Sequence, residues 1–458
     1  MFRQLRHHSI KWTRSYSTPI QTRLDYNKIA ENPQAIKENM IKRNHCPIDP
    51  YHVKTLNERR LENYNTLLHL RSQHNTLSKT ASSSNKDKKN RDPALIQKAK
   101  ELKQHIKQLE ANLTTTETEL LHCAVQIPND THPDVPVGPE SNARVIKIVN
   151  ESLLQEQKKY EDHMTIATRL GMIDLEQAAI VSGSSFYYLE GYGAFLETAL
   201  IQYAMDKAAS KGFLGVITPD IVRTSIAYGC GFQPRAGESS QIYHVQANEE
   251  DALCLAGTAE IPLAGKFATK VLEETELPKR LVGYGRAYRA EAGGRGTETK
   301  GLYRVHQFSK VELFAVSTEQ QSDALLEQFR EIQEEMFTEL GLCFRVLDMP
   351  TEELGASAYR KYDIEAWMPG RNTWGEISST SNCTDYQARR LSIRYRPTHN
   401  TGKNTSFCHT INGTAIAVPR IIIAILETFQ QTDGSVKIPQ VLQKWLPGQP
   451  SILSPTTL

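Results

Sequence analysis

Apolar residues between positions 95 and 120 recur at the spacing of a coiled coil. They are separated by four, three, four, three, four and seven residues, at Leu95, Ala99, Leu102, Ile106, Leu109, Leu113 and Leu120. This heptad pattern predicts a helix of about 30 residues, roughly 45 Å long at 1.5 Å per residue. A weaker stripe on the preceding segment predicts a second helix, through Leu56, Leu67, Leu70 and Leu77.

The segment between the two stripes, residues 79–91, is basic and serine-rich and has too few apolar residues to bury a core. Pro93 then stands where a helix can begin. We therefore predict that residues 24–128 form a long antiparallel α-helical coiled-coil hairpin with a basic tip. Such a hairpin can serve as an oligomerisation rod, the commoner use of heptads, or can contact phosphate backbones through its lysines and arginines.

The chain changes character from about residue 145, where glycine, aromatic and β-branched residues become frequent. Residues 281–289 and 304–316 alternate as paired strands do, and a glycine-rich loop joins them. Residues 196–208 suit a helix, and residues 411–428 suit a strand followed by a helix. Without a phosphate-binding Gly-x-x-x-x-Gly-Lys loop or a dinucleotide-binding fingerprint, the pattern favours an α+β fold with an antiparallel sheet flanked by helices. We place a linker at 129–150, the sheet domain at 151–450 and a flexible tail at 451–458.

The start of the chain is basic and rich in hydroxyl groups. Five arginines and lysines lie within the first 24 residues, and no acidic residue precedes Asp25. This composition is typical of a mitochondrial targeting segment, predicted here for residues 1–23 with the matrix as destination. The alternative is a basic tail that contacts RNA.

Other features of the composition exclude whole classes of protein. The seven cysteines include no Cys-x-x-Cys pair, so neither a disulfide framework nor a zinc site is expected. No run of eighteen apolar residues predicts a membrane span. The formal net charge of +2 identifies no partner by itself.

The densest chemistry lies between residues 285 and 312. On a strand, Arg289 and Glu291 share a face because they are two residues apart. The returning segment carries Arg304, Phe308 and Glu312 at intervals of four, with His306 and Lys310 between them. Cations, an aromatic ring and two carboxylates on one sheet face could together hold a triphosphate, a purine and an ammonium group.

These stretches resemble a known family. Residues 288–293 and 304–312 look like motif 2 of the class II aminoacyl-tRNA synthetases in its seryl form. Residues 183–219 resemble motif 1, Thr258-Ala259-Glu260 resembles the seryl Thr-x-Glu loop, and residues 412–420 resemble motif 3. The string that begins Glu376-Ile377-Ser378-Ser379 and continues to Arg390 is similarly family-specific. The resemblance spans about residues 24–450 and includes the helical arm.

The resemblance implies an ATP site. Arg289 would contact the α-phosphate and the amino-acid carboxylate, Arg304 the β- and γ-phosphates, and Arg420 the γ-phosphate. Phe308 would stack on one face of adenine while Arg420 covers the other, and Glu291 would accept a hydrogen bond from the adenine amino group. Glu376 and Ser379 would hold Mg²⁺. The implied nucleotide-binding set is Arg289, Ala290, Glu291, Arg304, Phe308, Glu376, Ile377, Ser378, Ser379 and Arg420, of which Arg289, Glu376 and Arg420 are the catalytic candidates.

The same resemblance implies the remaining substrates and partners. The serine-binding candidates are Thr258, Ala259, Glu260, Arg289, Glu312, Asn382 and Thr414. The tRNA-binding candidates, at the tip of the arm, are Lys79, Lys86, Lys88, Lys89 and Arg91. The expected partners are ATP, L-serine, tRNA(Ser) and a second copy of the chain that forms a homodimer through motif 1.

Two other functions are compatible with a class II fold. An adenylating enzyme could load an amino acid onto another acceptor, but such proteins lack the long arm. A non-catalytic RNA-binding scaffold would be expected to lose charge at Arg289, Glu376 or Arg420, and all three are present. A synthetase that activates serine with ATP and transfers it to tRNA is therefore the favoured function.

Overall fold

The computed structural model describes residues 20–83, 93–155, 159–232, 241–246, 252–291, 301–398 and 404–455. Its α-helices are α1 (Tyr26–Glu31), α2 (Pro33–Lys42), α3 (Pro50–Ser83), α4 (Pro93–Ala124), α5 (His163–Arg169), α6 (Glu176–Ser182), α7 (Tyr192–Ser210), α8 (Thr224–Gly229), α9 (Glu260–Gly265), α10 (Glu319–Glu339), α11 (Tyr386–Leu391), α12 (Val418–Phe429) and α13 (Gln440–Gln443). Its strands are β1 (Arg144–Val149), β2 (Ile173–Asp174), β3 (Tyr188–Leu189), β4 (Leu214–Ile217), β5 (Ile221–Arg223), β6 (His244–Gln246), β7 (Leu253–Leu255), β8 (Val271–Glu273), β9 (Lys279–Tyr288), β10 (Gln307–Ser317), β11 (Phe344–Asp348), β12 (Arg360–Met368), β13 (Thr373–Asn382), β14 (Arg394–Arg396), β15 (Ser406–Phe407), β16 (His409–Ala417), β17 (Val436–Lys437) and β18 (Ile452–Leu453).

The predicted helical hairpin is confirmed. Helices α3 and α4 pack along each other, and the heptad leucines Leu67, Leu70, Leu109 and Leu113 form the buried seam between them. At the base of the hairpin, Leu120 joins a second cluster with residues of α1 and α2. Of the predicted tip residues, Lys79 is an exposed residue of α3. Lys86, Lys88, Lys89 and Arg91 lie outside the described residues.

The α+β domain is also confirmed. Its main sheet has the strand order β1-β11-β12-β13-β16-β10-β9-β4. Neighbouring strands are antiparallel except for the edge pair β4 and β9, which is parallel. The edge strand β1 lies within residues 129–150, the predicted linker, and β18 lies within the predicted tail.

The alternation of side chains along β10 separates the two faces of the sheet. Val311, Leu313 and Ala315 are fully buried against a core built from α7, α10 and α12. Burying each large apolar side chain of this kind contributes about 1.5–3 kcal/mol. Phe308, Lys310 and Glu312 face the other way, so the helices cover one face and the polar chemistry occupies the other.

The strands around the glycine-rich loop are shorter than predicted. Strand β9 ends at Tyr288 and β10 begins at Gln307. The expectation that Arg289 and Glu291 share a strand face, and that Arg304 continues β10, is therefore wrong. Glu291 has a φ of 43°, in the left-handed region that a strand cannot contain. All three residues instead belong to the connecting segment.

The base of the arm is fastened to the sheet domain by hydrogen bonds. The buried guanidinium of Arg43 donates to the carbonyl oxygens of Gly355 at 2.6 Å and Ala358 at 3.0 Å. Helix α11 forms a second joint: Arg390 donates to the carbonyl oxygen of Val125 at 3.1 Å, at the end of the arm. On the same short helix, Gln387 donates to Glu260 at 2.6 Å. Helix α11 thus links the arm to the polar face of the domain.

Candidate active site

A cleft opens on the polar face of the sheet. Its walls come from β10, β13, β16, the segment after β9 and the first turn of α12. The lining residues are Arg289, Glu291, Leu302, Tyr303, Arg304, Val305, Phe308, Lys310, Glu376, Ile377, Ser378, Ser379, Thr414, Ala417, Pro419 and Arg420. Nearly all of the predicted nucleotide-binding residues are in this set. Ala290 is not, and its backbone N–H instead donates to the carbonyl oxygen of Gln241 at 3.0 Å.

The cleft carries more positive than negative charge. Four of its lining residues are cations, Arg289, Arg304, Lys310 and Arg420, whereas only Glu291 and Glu376 are acidic. Burial lowers the pKa of Arg289, and the nearby Arg420 lowers it further. Adjacent like charges of this kind are stabilised when an anion binds between them. The cleft is therefore suited to a polyanion.

Arg420 is held at the floor of the cleft by Glu376. Its Nη1 donates to the Glu376 carbonyl oxygen at 2.8 Å and to Oε2 at 3.1 Å, and its guanidinium lies 4.6 Å from the centre of the Tyr303 ring. Burial alone would raise the pKa of Glu376, but Arg420, Lys361 and Arg289 outweigh it and hold that pKa at about 2. Pro419 occupies the first turn of α12, where its missing N–H costs no hydrogen bond.

An aromatic ring and a guanidinium lie on the opposite wall. The Arg289 guanidinium is 5.3 Å from the centre of the Phe308 ring, and its Nε donates to the Gly257 carbonyl oxygen at 3.3 Å. Arg304 reaches Glu291 with an Nε–Oε2 distance of 3.6 Å. A flat ring beside several cations is a surface on which a purine can stack while its phosphates remain paired.

A β-bulge brings Glu376 and Ser379 to the same face of β13. Strand β12 pairs Asp363 with Ser379 but Glu365 with Glu376, so Ile377 is the extra residue. Without the bulge, residues three apart would point to opposite faces. The carboxylate of Glu376 and the hydroxyl of Ser379 are hard oxygen donors of the kind that Mg²⁺ prefers. Asp363, on the same face, has a buried Oδ1 without a hydrogen-bond partner among the described residues, and a hydrated cation would supply one.

The part of the chain that the structure describes contains no group of three or more His, Cys, Asp and Glu side chains arranged around a metal position. A cation at Glu376 and Ser379 would therefore take its other ligands from water and from nucleotide phosphates. This ligand set fits Mg²⁺, which keeps several waters and usually has few protein ligands.

A cluster of buried polar side chains, the second polar pocket, adjoins the cleft midway along β10. Glu312 lies directly opposite Thr414 on β16, and its Oε2 accepts hydrogen bonds from Thr258 and Thr414, both at 3.4 Å. Lys310 Nζ is 2.7 Å from the same oxygen. Oε1 makes no hydrogen bond within the described ranges, which leaves it available to a ligand.

Glu260 forms the other wall of this pocket. Its Oε1 accepts hydrogen bonds from Gln387 at 2.6 Å and from Asn412 at 3.0 Å. Burial and the neighbouring Glu312 carboxylate raise the pKa of Glu260 to about 7. Two adjacent buried carboxylates, one of them poorly ionised, form a site that gains stability when a cation such as an ammonium group binds.

One predicted serine-binding residue is misplaced. Asn382 does not enter the pocket: its side chain donates to Asp323 of α10 at 2.9 Å, on the helix-covered face. After the bulge at Ile377, Ser379 and Ser381 face the cleft, and Asn382 necessarily points away. The amide that contacts Glu260 belongs to Asn412 instead.

Sequence reasoning missed four residues of the site. Lys310 was placed on the correct face without a role, Asn412 lies within a family-like string without being singled out, and Tyr303 immediately precedes another such string. Their positions in or beside those strings were the available signal. Gln387 also lies in such a string, but its contact with Glu260 depends on how α11 packs, which the sequence does not reveal.

The sheet, the cationic cleft and the helical arm define the class of this protein: it is a class II aminoacyl-tRNA synthetase. Residues 243–429 match the family described as "tRNA synthetase class II core domain (G, H, P, S and T)". Residues 24–131 match the "Seryl-tRNA synthetase N-terminal domain".

Individual relatives narrow the class. A serine–tRNA ligase of Treponema denticola is 44% identical over 421 residues, which cover 92% of this chain and 97% of the relative. A mitochondrial serine–tRNA ligase of Schizosaccharomyces pombe is 43% identical and covers 93% of this chain and 88% of its own length. The crystal structure of the seryl-tRNA synthetase of Pyrococcus horikoshii complexed with ATP superposes with a TM-score of 0.86 at 35% identity, covering 94% of this chain and all of that one. The chain belongs to the seryl-tRNA synthetase family, and it is an ATP-dependent serine–tRNA ligase.

Proposed function

We propose that this enzyme forms seryl-adenylate from L-serine and ATP in the cleft and then transfers serine to the 3′ end of tRNA(Ser) in the mitochondrial matrix. The observation that carries the proposal is the order of side chains along one face of β10. Phe308, Lys310 and Glu312 follow one another at two-residue spacing, about 7 Å apart. An aromatic plate, a cation and a carboxylate in this order match a base, a phosphate–carboxylate junction and an ammonium group.

The nucleotide roles follow from the charges around the cleft. Adenine would stack on Phe308, and its amino group would donate a hydrogen bond to the Glu291 carboxylate. Arg289 would neutralise the α-phosphate as the serine carboxylate attacks, and Arg304 and Arg420 would bind the outer phosphates. Arg420 is paired with Glu376 in the structure described here, so it would exchange part of that contact for phosphate. Backbone groups of Ala290, Ile377 and Ser378 would complete the site.

Serine would occupy the pocket between Glu260 and Glu312. Its ammonium would bind the free Oε1 of Glu312, and its hydroxyl would reach Thr258, Glu260 and Thr414. Ala259 lies in the wall of this pocket and is buried. Alanine would leave the polar partners of the hydroxyl unpaired, which gives strong discrimination against it. Asn412 takes the place that the sequence had suggested for Asn382.

The chemistry of this step needs no general base, because the serine carboxylate is already ionised at neutral pH. The chain's own residues act by orientation and by charge neutralisation. Mg²⁺, held by Glu376 and Ser379, would supply additional positive charge to the phosphates. Leu302, Val305 and Ala417 would exclude water from one side of the cleft.

ATP–pyrophosphate exchange, measured with each of the twenty amino acids and no tRNA, tests the proposed activation step. We expect exchange with serine alone, because only serine combines a small side chain with a hydroxyl that satisfies the pocket. Comparable exchange with threonine or alanine would contradict the assignment of the pocket. The same protein without any amino acid provides the baseline.

The arm is proposed to bind tRNA through the cations predicted at its tip. Replacing Lys79, Lys86, Lys88, Lys89 and Arg91 with glutamine should raise the KM for tRNA(Ser) at least tenfold and flatten its salt dependence, since fewer counterions are released. ATP–pyrophosphate exchange by the same variant should be unchanged and serves as the control. Equal loss of both activities would show that the tip supports the fold or the cleft.

A homodimer is proposed from an exposed apolar surface on α6, α7 and β4. Ile217 is 83% exposed, Ile180 is 72% exposed and Val181 is 66% exposed. Exposed large apolar side chains of this kind mark interfaces; Ile217 lies within residues 183–219, which resemble motif 1, and Ile180 and Val181 lie just before that stretch. Sedimentation of the intact protein should give the mass of a dimer, and a monomer at micromolar concentration would contradict the proposal.

The proposed matrix location relies on the basic, acid-free start of the chain. The S. pombe relative is named as mitochondrial, whereas the T. denticola relative is bacterial. No described helix is both long and apolar enough to cross a bilayer. Residues 1–23 fused to a reporter should direct it into isolated mitochondria with cleavage near Ser17. A reporter that stays outside would contradict this location.

A further inference from the structure

Asp363 lies beside the proposed metal position but has no role in the reaction as described so far. On the antiparallel pair β12 and β13 it is directly opposite Ser379. Side chains of directly opposed residues point the same way, with Cβ atoms about 5 Å apart. The bulge at Ile377 adds Glu376 to the same face. The Asp363 carboxylate is therefore a neighbour of both proposed Mg²⁺ ligands.

The two oxygens of this carboxylate have different surroundings. Oδ2 is 2.7 Å from Lys361 Nζ. Oδ1 is buried and has no hydrogen-bond partner among the described residues. The whole side chain is only 7% exposed. Leaving a buried acceptor without a partner is unfavourable, so such atoms require an explanation. Because Lys361 restrains Oδ2, the orientation of Oδ1 is also restrained.

The charges nearby favour a cation. The carboxylates of Asp363, Glu365 and Glu376 share one face of two neighbouring strands. Glu365 is neutralised by Arg345 at 2.6 Å and Glu376 by Arg420 at 3.1 Å. If Arg420 turns to a phosphate when ATP binds, Glu376 loses that partner. A divalent ion that arrives with the nucleotide would restore the balance.

We propose that Asp363 is a positioning residue whose Oδ1 accepts a hydrogen bond from a water bound to the divalent ion at Glu376 and Ser379. This inference rests on the proposed metal position. Glu376 and Ser379 line the cleft whereas Asp363 lies behind them and does not, so Asp363 is placed to act through water. Mg²⁺ retains several waters when it binds with a nucleotide, and partners in the outer coordination shell orient the ion and tune its affinity.

Mn²⁺ binding in the presence of a non-cleavable ATP analogue, α,β-methylene-ATP, tests the inference without catalysis. Free Mn²⁺ is measured by electron paramagnetic resonance on the full chain, with no serine present. Asp363→Asn should weaken Mn²⁺ binding 10- to 100-fold, the usual effect of losing an outer-shell carboxylate. Binding of the analogue without metal should be unchanged, because Asp363 does not contact the nucleotide.

The control is Asp348→Asn, on the neighbouring strand β11. Asp348 is equally buried, but its oxygens are paired with Arg144 and Arg360, so this variant should bind Mn²⁺ as the parent does. An Asp363→Asn affinity within twofold of the parent, or an equal loss in Asp348→Asn, would overturn the inference. If Asp363→Asn does not fold, Asp363→Glu keeps the charge but displaces it, and it should weaken Mn²⁺ binding at least threefold; a smaller loss would overturn the inference.

Glu376→Gln separates this inference from the proposed function. Loss of Mn²⁺ binding in Glu376→Gln together with parental binding in Asp363→Asn would retain the metal position and reject the role of Asp363. If Glu376→Gln binds Mn²⁺ as tightly as the parent does, the metal does not bind at this strand, and the proposed role of Asp363 is rejected as well.

Discussion

Arg289→Ala should reduce seryl-adenylate formation by about 10³-fold or more, equivalent to roughly 4 kcal/mol of activation free energy. The guanidinium lies between the ring of Phe308 and the pocket that contains Glu312, where the α-phosphate and the serine carboxylate would meet. In the proposed binding mode it contacts the α-phosphate on which charge develops during the attack. ATP–pyrophosphate exchange with saturating serine measures the loss.

Arg280→Ala is the matched control for this variant. Arg280 is on the same strand, β9, and its guanidinium also packs against an aromatic ring, that of Phe213 at 5.8 Å. Arg280 lies on the side of the sheet away from the cleft. The ATP–pyrophosphate exchange rate of Arg280→Ala should therefore stay within about threefold of the parent rate. A folded Arg289→Ala enzyme with near-parental exchange would show that this arginine is structural.

Glu260→Gln should have opposite effects on activity and stability. Activation of serine should fall by about 10²-fold in kcat/KM, since a hydrogen-bond acceptor for the serine hydroxyl is lost. The free energy of unfolding at pH 8 should rise by up to about 3 kcal/mol. The reason is that the pKa of Glu260 is raised from 4.5 to about 7 in the folded protein, so ionisation at pH 8 is penalised only in the folded state.

The pH dependence supplies the control for the stability effect. Below pH 4.5 the carboxyl group is protonated in both states, so the parent and the variant should unfold with the same free energy. Between pH 4.5 and 7 the unfolded chain loses the proton while the folded chain keeps it, and the parent loses stability as the pH rises. Chemical denaturation at pH 4.5 and pH 8 measures the difference. An equal gain in the free energy of unfolding at both pH values would show that the effect comes from packing and not from ionisation of Glu260.

Regular features of the fold could be predicted from the sequence because they depend on periodicity. The heptad leucines of α4 predict a buried seam with a second helix, whatever the orientation of the arm relative to the sheet domain. Leu109 and Leu113 lie in that seam. The strand and helix within residues 411–428 appear as β16 and α12. The family-like strings likewise indicated Arg289, Phe308, Glu376 and Arg420, which the fold brings to one cleft.

Irregular features could not be predicted because they depend on long-range packing. Nothing in the string around Ile377 shows that a bulge reverses the faces of the following residues, so Asn382 was assigned to the wrong side. The early end of β9 at Tyr288 depends on a turn that includes Glu291 with positive φ. The contact between Gln387 and Glu260 joins residues 127 positions apart, which no local pattern encodes.

Helix α11 has a consequence for how these enzymes can be recombined. One end of this six-residue helix holds the carbonyl oxygens at the root of the arm, and Gln387, one turn earlier, donates a hydrogen bond to Glu260 in the proposed serine pocket. Grafting the arm of a distant relative onto this domain would therefore disturb the pocket unless α11 were transplanted with it. Hydrogen bonds join the arm, the helix and the pocket, and a chimera should keep all three from the same parent.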